Sequence, residues 1–137
     1  MKTFTETLPL KTTKQFELVD ITEKVKEAVK ESQIKEGFCV VYSTHSTAGI
    51  VINEHEAGLS DDAADFFKKL VPPVGEYRHD KRHAPNAHSH IATMMIGVSE
   101  NIPLEGGKLK FGTYQSVFLF EMDGPRARDV IVKVIGE

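Results

Sequence analysis

The chain has 137 residues, a length in the usual range for one domain and sufficient to bury a core without disulfides. Net charge is −3, and Lys and Arg are spread along the chain, which excludes the concentrated positive field of a nucleic-acid binder. Its one cysteine, Cys39, cannot form an internal disulfide and reads as a buried thiol within "GFCVVYS". The N-terminus "MKTFTETLPL" lacks the apolar run of a signal peptide and nothing approaches membrane-span length, so the expected location is the cytoplasm, with no membrane partner.

Taken in chain order, "TFTETLPL" and "KQFELVDI" alternate as two strands, with "KTTK" as the turn between them. "DITEKVKEAVKESQIKEG" then switches to helical spacing. Asp20 or Thr22 can cap this helix, Ile21, Val25, Ala28 and Val29 form its apolar stripe, Ile34 extends the stripe, and Gly37 stops the helix. "FCVVYST" is apolar on both faces and reads as an interior strand, with "GIVINE" as its hairpin partner. "AGLSDDAADFFKKLV" is a second helix with Leu59, Ala63, Phe66, Phe67 and Leu70 on one side, ended by Pro72 and Pro73.

A long loop follows, then a short helix "HIATMMIG" that Ser89 can cap, then "SENIPLE", a Gly106-Gly107 turn and two strand-like runs joined by the "DGPR" turn. The order is therefore two strands, a helix, two strands, a helix and three strands: a single α+β domain over residues 1–137, largely antiparallel, with two to three helices. In the last strand, "VIVKVI", both faces are apolar apart from Lys133, so each needs cover. Two helices in so short a chain cover one face of one sheet, which points to a homo-oligomer.

Three stretches could carry chemistry. In "HSTAG", between two strands, His45 stands beside Ser46 and Thr47, whose hydroxyls and turn N–H groups can cradle a phosphate. A hairpin whose Ser and Thr satisfy their own turn is the plainer reading. Asn53 and Glu54 end the next strand, and Glu54 is either a surface residue or a general-base or supporting carboxylate. His55 reads as a surface histidine.

The second stretch, "RHDKRHAPNAHSH", holds four of the six histidines. His88 and His90 share one side if the segment is extended, His79 could add a third ligand and His45 a fourth, as a tetrahedral zinc site requires. Asp80 could orient one of these imidazoles. The spacing matches no rigid motif such as H-E-x-x-H, and Lys81, Arg82 and His83 read as a solvated basic surface. The third stretch is "GTYQSVFLFEMDGPRARD". Thr113, Gln115, Val117, Leu119 and Glu121 share one strand face while Tyr114, Phe118 and Phe120 share the other. Arg126 and Arg128 share a face if extended and suit a phosphate or carboxylate, with surface arginines after a turn as the competing reading.

In order, "HSTAGIVINE", "YRHD", "NAHSH" running to "MMIG", and "IPLEGGKLKFGTYQSVFLFEMDGPR" resemble the YjbQ family, also described as UPF0047 or as secondary thiamine-phosphate synthase enzymes. The resemblance covers nearly the whole chain. It implies a seven-stranded, two-sheet β-sandwich with α+β organisation that assembles as a homotrimer. It also implies a site, between subunits, where His45, the His79-Asp80 pair and His90 meet near Asn53 and Glu54, with Gln115, Glu121 and Arg126 close by. The family pattern does not always carry a histidine at the place of His88, and it reads "GTWQ" where this chain has "GTYQ".

The activity the resemblance implies is thiamine phosphate synthesis, in which a thiazole phosphate displaces pyrophosphate from hydroxymethylpyrimidine diphosphate. The expected substrate is thus a phosphorylated small molecule. The expected cofactor is a divalent metal, zinc foremost, held by His45, His79, His88 and His90. Asp80, Glu54, Asn53 and His79 are the expected catalytic groups, and Ser46, Thr47, Gln115, Arg126 and Arg128 the expected phosphate-binding ones. Two other functions fit the same residues: a trimeric protein that binds a small anion or metal without turnover, and a metal-dependent phosphate-ester hydrolase.

Overall fold

A computed structural model describes residues 1–137. Strands β1 (Lys2–Lys11) and β2 (Glu17–Asp20) precede helix α1 (Thr22–Ser32). Strands β3 (Gly37–Ser43) and β4 (Ala48–Asn53) then lead to α2 (Ala57–Leu70). A 3-10 turn at His79–Lys81 and α3 (Ala87–Ile96) precede β5 (Ser99–Glu105), β6 (Lys108–Leu109), β7 (Ser116–Glu121) and β8 (Ala127–Gly136). The α+β class holds, with three helices, but there are eight strands rather than seven. The additional strand is the two-residue β6, which pairs with β5 across the Gly106-Gly107 turn and is too short to show a periodicity in sequence.

The strands form two antiparallel sheets. One is ordered β1-β8-β3-β5-β6 and the other β2-β7-β4. The expected hairpin of β3 with β4 is therefore not formed. β3 lies between β8 and β5, and β4 pairs with β7. Residues 44–47 carry the chain from one sheet to the other, and the Ser43 hydroxyl donates to the Ala48 carbonyl at 2.7 Å to hold the corner. Residues 12–16 and 122–126 are two further short crossings: β1 and β2, like β7 and β8, fall in different sheets. Chain neighbours pair only as a tendency, and a strand apolar on both faces gains more by taking a central place.

The inner faces enclose the main core: Leu8 and Leu10 of β1, Cys39 and Val41 of β3, and Val130, Val132 and Val134 of β8 face Ala48, Ile50, Val117 and Leu119. Helix α1 adds Val25, Ala28 and Val29. The N-cap is Ile21, with no side-chain cap, rather than Asp20 or Thr22; Asp20, one residue earlier, accepts the Thr22 N–H at 2.9 Å. This helix stops sooner than expected, at Gln33, whose left-handed φ of 59° closes it. Gly37 instead opens β3, where a Cβ would stand 2.0 Å from the Ile135 carbonyl oxygen. Burial pushes the Cys39 thiol up to about 12, which makes it an inert core residue.

The outward face of the three-stranded sheet meets α2 and α3 through Phe16, Phe120, Met122 and Ala92. The alternation along β7 is as the sequence implies. Val117 and Leu119 enter the main core, while Phe118 and Phe120 face the helices, and the strand is buried on both faces. Helix α2 turns Ala63 and Phe67 inward but leaves Phe66 58% exposed. None of its side chains is fully buried, so it stands off the sheet and a cleft remains beneath it.

Candidate functional site

The segment from Tyr77 to His90 is ordered by its own polar groups. The Asp80 carboxylate accepts the Ala87 N–H at 2.9 Å, satisfying an unpaired donor in the first turn of α3 and folding the loop back on the helix start. The Ser89 hydroxyl donates to the Asn86 carbonyl at 2.7 Å. Because α3 begins at Ala87, not at His90, His88 and His90 lie on a helix. They point about 200° apart, whereas an extended segment would align them.

His88 is accordingly buried against Phe16, with Nε2 3.3 Å from the Met122 carbonyl and Nδ1 without a hydrogen-bond partner. His90 turns the other way, and its ring centroid lies 4.8 Å from that of His79. His83, on the exposed side, stacks on His79 at 5.0 Å.

A chain of polar side chains runs from His79. Its Nε2 is 2.9 Å from the Asn86 Oδ1, and the Asn86 Nδ2 donates to Asp123 Oδ2 at 2.8 Å. Arg126 closes the series, with its Nε 3.1 Å and its Nη2 2.9 Å from the same carboxylate oxygen. With this acceptor at Nε2, a neutral His79 carries its proton there and presents Nδ1 as an acceptor. The His90 ring is held below its ordinary value of 6.5, first by burial and then by the neighbouring His79, so it is neutral at physiological pH.

His90 and Met94 form a wall common to two cavities. One, of about 460 Å³, is bordered by Tyr77, Arg78, His79 and Ile91. The other, of about 350 Å³, is bordered by Ser46, Thr93 and Gly97. Thr93 is 4% exposed, and its buried hydroxyl has no partner in the chain. The corner between β3 and β4 thus brings Ser46 to His90, two residues 44 positions apart in sequence (90 − 46).

The remaining expected residues fall into two other places. Beneath the corner, the Arg128 guanidinium donates to both oxygens of Glu121 and, at 2.8 Å, to the Thr47 hydroxyl. Thr12 donates to Glu121 at 2.7 Å. Glu121 is fully enclosed and Arg128 is 4% exposed. Arg126 and Arg128 thus do not present a paired guanidinium surface: each is tied to its own carboxylate, and only Arg126 reaches solvent.

His45 stands above this network, its Nε2 accepting the Asp129 N–H at 2.8 Å. Burial and the Arg128 charge lower its pKa, in that order. Asn53, Glu54 and Gln115 gather at the far end of β4, around cavities that share no lining residue with the two beside His90. His55 pairs with Asp20 at 2.6 Å and is largely exposed.

Of the four expected metal ligands, His45 is engaged through Nε2 by a backbone N–H, and His88 is enclosed against a carbonyl. Only His79 and His90 approach one another. No group of three or more His, Cys, Asp or Glu side chains in the chain is arranged to hold a metal ion. A tetrahedral centre needs three or four protein ligands, so the residues of one chain do not fit a metal by themselves. Asn86, Asp123 and Thr93 are site residues that the motif reading passed over. Asn86 immediately before an apolar helix was a visible signal of a cap position, whereas Thr93 carried none.

The family model described as UPF0047 protein YjbQ-like matches residues 6–137. A UPF0047 protein of Archaeoglobus fulgidus is 43% identical over 128 residues, covering 93% of this chain and 98% of that protein. The UPF0047 protein YugU of Bacillus subtilis is 35% identical over 132 residues, covering 96% and 98%. Among solved structures, a YbjQ-like protein of unknown function from Sulfolobus solfataricus superposes with a TM-score of 0.97 at 41% identity over 99% of both chains. A YjbQ/UPF0047 protein of Clostridium acetobutylicum gives 0.90 at 42% identity, covering 95% of this chain and 99% of that one. The chain therefore belongs to the YjbQ-like UPF0047 family.

Proposed function

We propose that the protein is an enzyme acting on a phosphorylated small molecule, with His90 as its acid–base group and Arg126, linked to His79 through Asp123 and Asn86, for the anionic part of the substrate. The observation that carries this reading is the held imidazole pair. A neutral His90 lies between two open cavities, against a His79 whose orientation is set through Asn86 and Asp123. A neutral imidazole at an open cavity is suited to take a proton from water or a hydroxyl. Arg126 is about half exposed, so its guanidinium can meet a phosphate while Asp123 fixes its direction.

Thiamine phosphate formation is the first reaction to assay. In it a C–N bond forms between the thiazole nitrogen and the pyrimidine methylene carbon as the C–O bond to pyrophosphate breaks. The nucleophile is an uncharged ring nitrogen and has no proton to lose. The main demand is then on groups that stabilise the departing pyrophosphate, here Arg126 and the Arg78 that borders the larger His90 cavity.

The two chemistries separate cleanly by variant. For transfer, Arg126→Met should slow product formation far more than His90→Gln. For phosphate-ester hydrolysis, His90→Gln should lower the rate by about 10²-fold or more. Thiamine phosphate by chromatography and phosphate release from a panel of monoesters are the readouts, each with chelator and with added zinc. A rate that requires zinc would support an ion shared between subunits. No turnover of any substrate, with or without metal, would leave the non-catalytic binding reading in place.

The same reading includes assembly as a homotrimer through the outward face of the five-stranded sheet. There Phe38 stands across from Ile135 and Tyr42 across from Ile131, with Val40 and Lys133 between. Phe38 and Tyr42 are 42% and 43% exposed. Rings left open at the centre of a sheet mark a face that gains from cover.

A further inference from the structure

The cleft under α2 lies apart from the histidine cavities and has a different chemistry. Its volume is about 380 Å³, within the range of small-molecule sites. Its floor is Val51, Phe118 and Phe120 on the three-stranded sheet, and its roof is Ala63 and Phe67 of α2. The mouth is polar and of one sign. Glu54 and Glu100 both line the cleft, and no cationic side chain does. Neither carboxylate takes part in an ion pair.

The Asn53 Oδ1 accepts the Glu54 N–H at 2.8 Å, which leaves its amide Nδ2 free at the same mouth. On the other side of Asn53 and Glu54 is a smaller cavity of about 190 Å³, with Tyr114 and Gln115 as its wall. The Tyr114 ring is 72% exposed there, and the Gln115 side chain already accepts the Gly112 N–H.

We propose that this cleft binds a small organic cation, its flat apolar body seated over Phe118 under α2 and its protonated amine held between Glu54 and Glu100. Two unpaired carboxylates at the edge of an aromatic pocket complement a cationic head on an apolar body. An anionic ligand would be repelled from the mouth. A neutral one would leave both carboxylates as they are, with no gain from them. The site is separate from the acid–base reading above, and its test does not depend on turnover.

The test is a titration of the full-length, isotopically labelled protein with phenethylamine, 2-phenylethanol and 3-phenylpropionate, which share a ring and differ in charge. Phenethylamine should give saturable shifts of the Val51, Leu59 and Ile96 methyl resonances. 2-Phenylethanol should bind more weakly at the same place, and 3-phenylpropionate should leave these resonances unmoved. The double variant Glu54→Gln/Glu100→Gln should weaken phenethylamine by about tenfold, as expected for loss of two near-surface charge contacts. Ala63→Leu, which fills the cleft from the roof, should abolish the shifts while the remaining methyl spectrum stays native. Equal binding of 3-phenylpropionate, undiminished binding to the double variant, shifts confined to other faces, or no shifts with any probe would each overturn the proposal.

Discussion

His90 depends on its surroundings more than any other residue of the candidate site. Burial, with His79 alongside, holds it below 6.5, so in a histidine-resolved NMR titration its midpoint should lie under that value. In His79→Gln the midpoint should rise part of the way back, since the neighbouring charge is removed while the burial remains. The sign for stability follows. A histidine with a depressed folded pKa binds fewer protons in the native than in the unfolded chain, so stability rises with pH across the gap. The contributions of His45 and His90 are therefore complete above 6.5 and are lost as pH falls through their folded values. Urea midpoints measured between pH 7.5 and 5 should decline, and the decline should be shallower in His90→Gln. At this scale the types of the site residues were legible, but their directions were not. His88 and His90 looked alike in sequence and differ because a helix of 3.6 residues per turn sends one into the core and the other to a cavity.

Among the elements, the buried Glu121–Arg128 pair ties β7 to β8 across a change of sheet, with Thr12 and Thr47 bonding to it from two further crossings. Removing one partner leaves an uncompensated charge in the core. Glu121→Leu or Arg128→Met alone should cost roughly 3–5 kcal/mol in denaturant unfolding. The double replacement should cost clearly less than the sum of the two, because the desolvation of both charges disappears with them. A double variant as destabilised as that sum would show that the pair acts through something other than its charges. Helix and strand positions were readable from periodicity, as along β7 and α1. Their ends were less so: α1 closes at Gln33 through a left-handed residue that apolar spacing does not mark. β6 was invisible because two residues cannot display a repeat.

For the molecule as a whole, the proposed trimer makes a direct prediction. Light scattering should give three chains per particle for the native protein, and Phe38→Lys/Ile135→Lys, on cross-strand neighbours of the exposed face, should give one. A native protein that runs as a single chain would remove that face as an interface. No helix is long and apolar enough to cross a membrane.

By itself the sequence determined the α+β class, the core positions of β3, β7 and β8, and the family, because alternation, helical spacing and an ordered set of motifs are written along the chain. Tertiary structure alone decided which strands share a sheet. Pairing such as β1 with β8 or β3 with β5 joins segments far apart in the chain, and it is settled by which apolar faces can be buried together. It alone also decided that Ser46, His90 and Thr93 border one cavity while Asn53 and Glu54 border another. A site is defined by side-chain direction and distance in space, and those follow from the packing of whole elements.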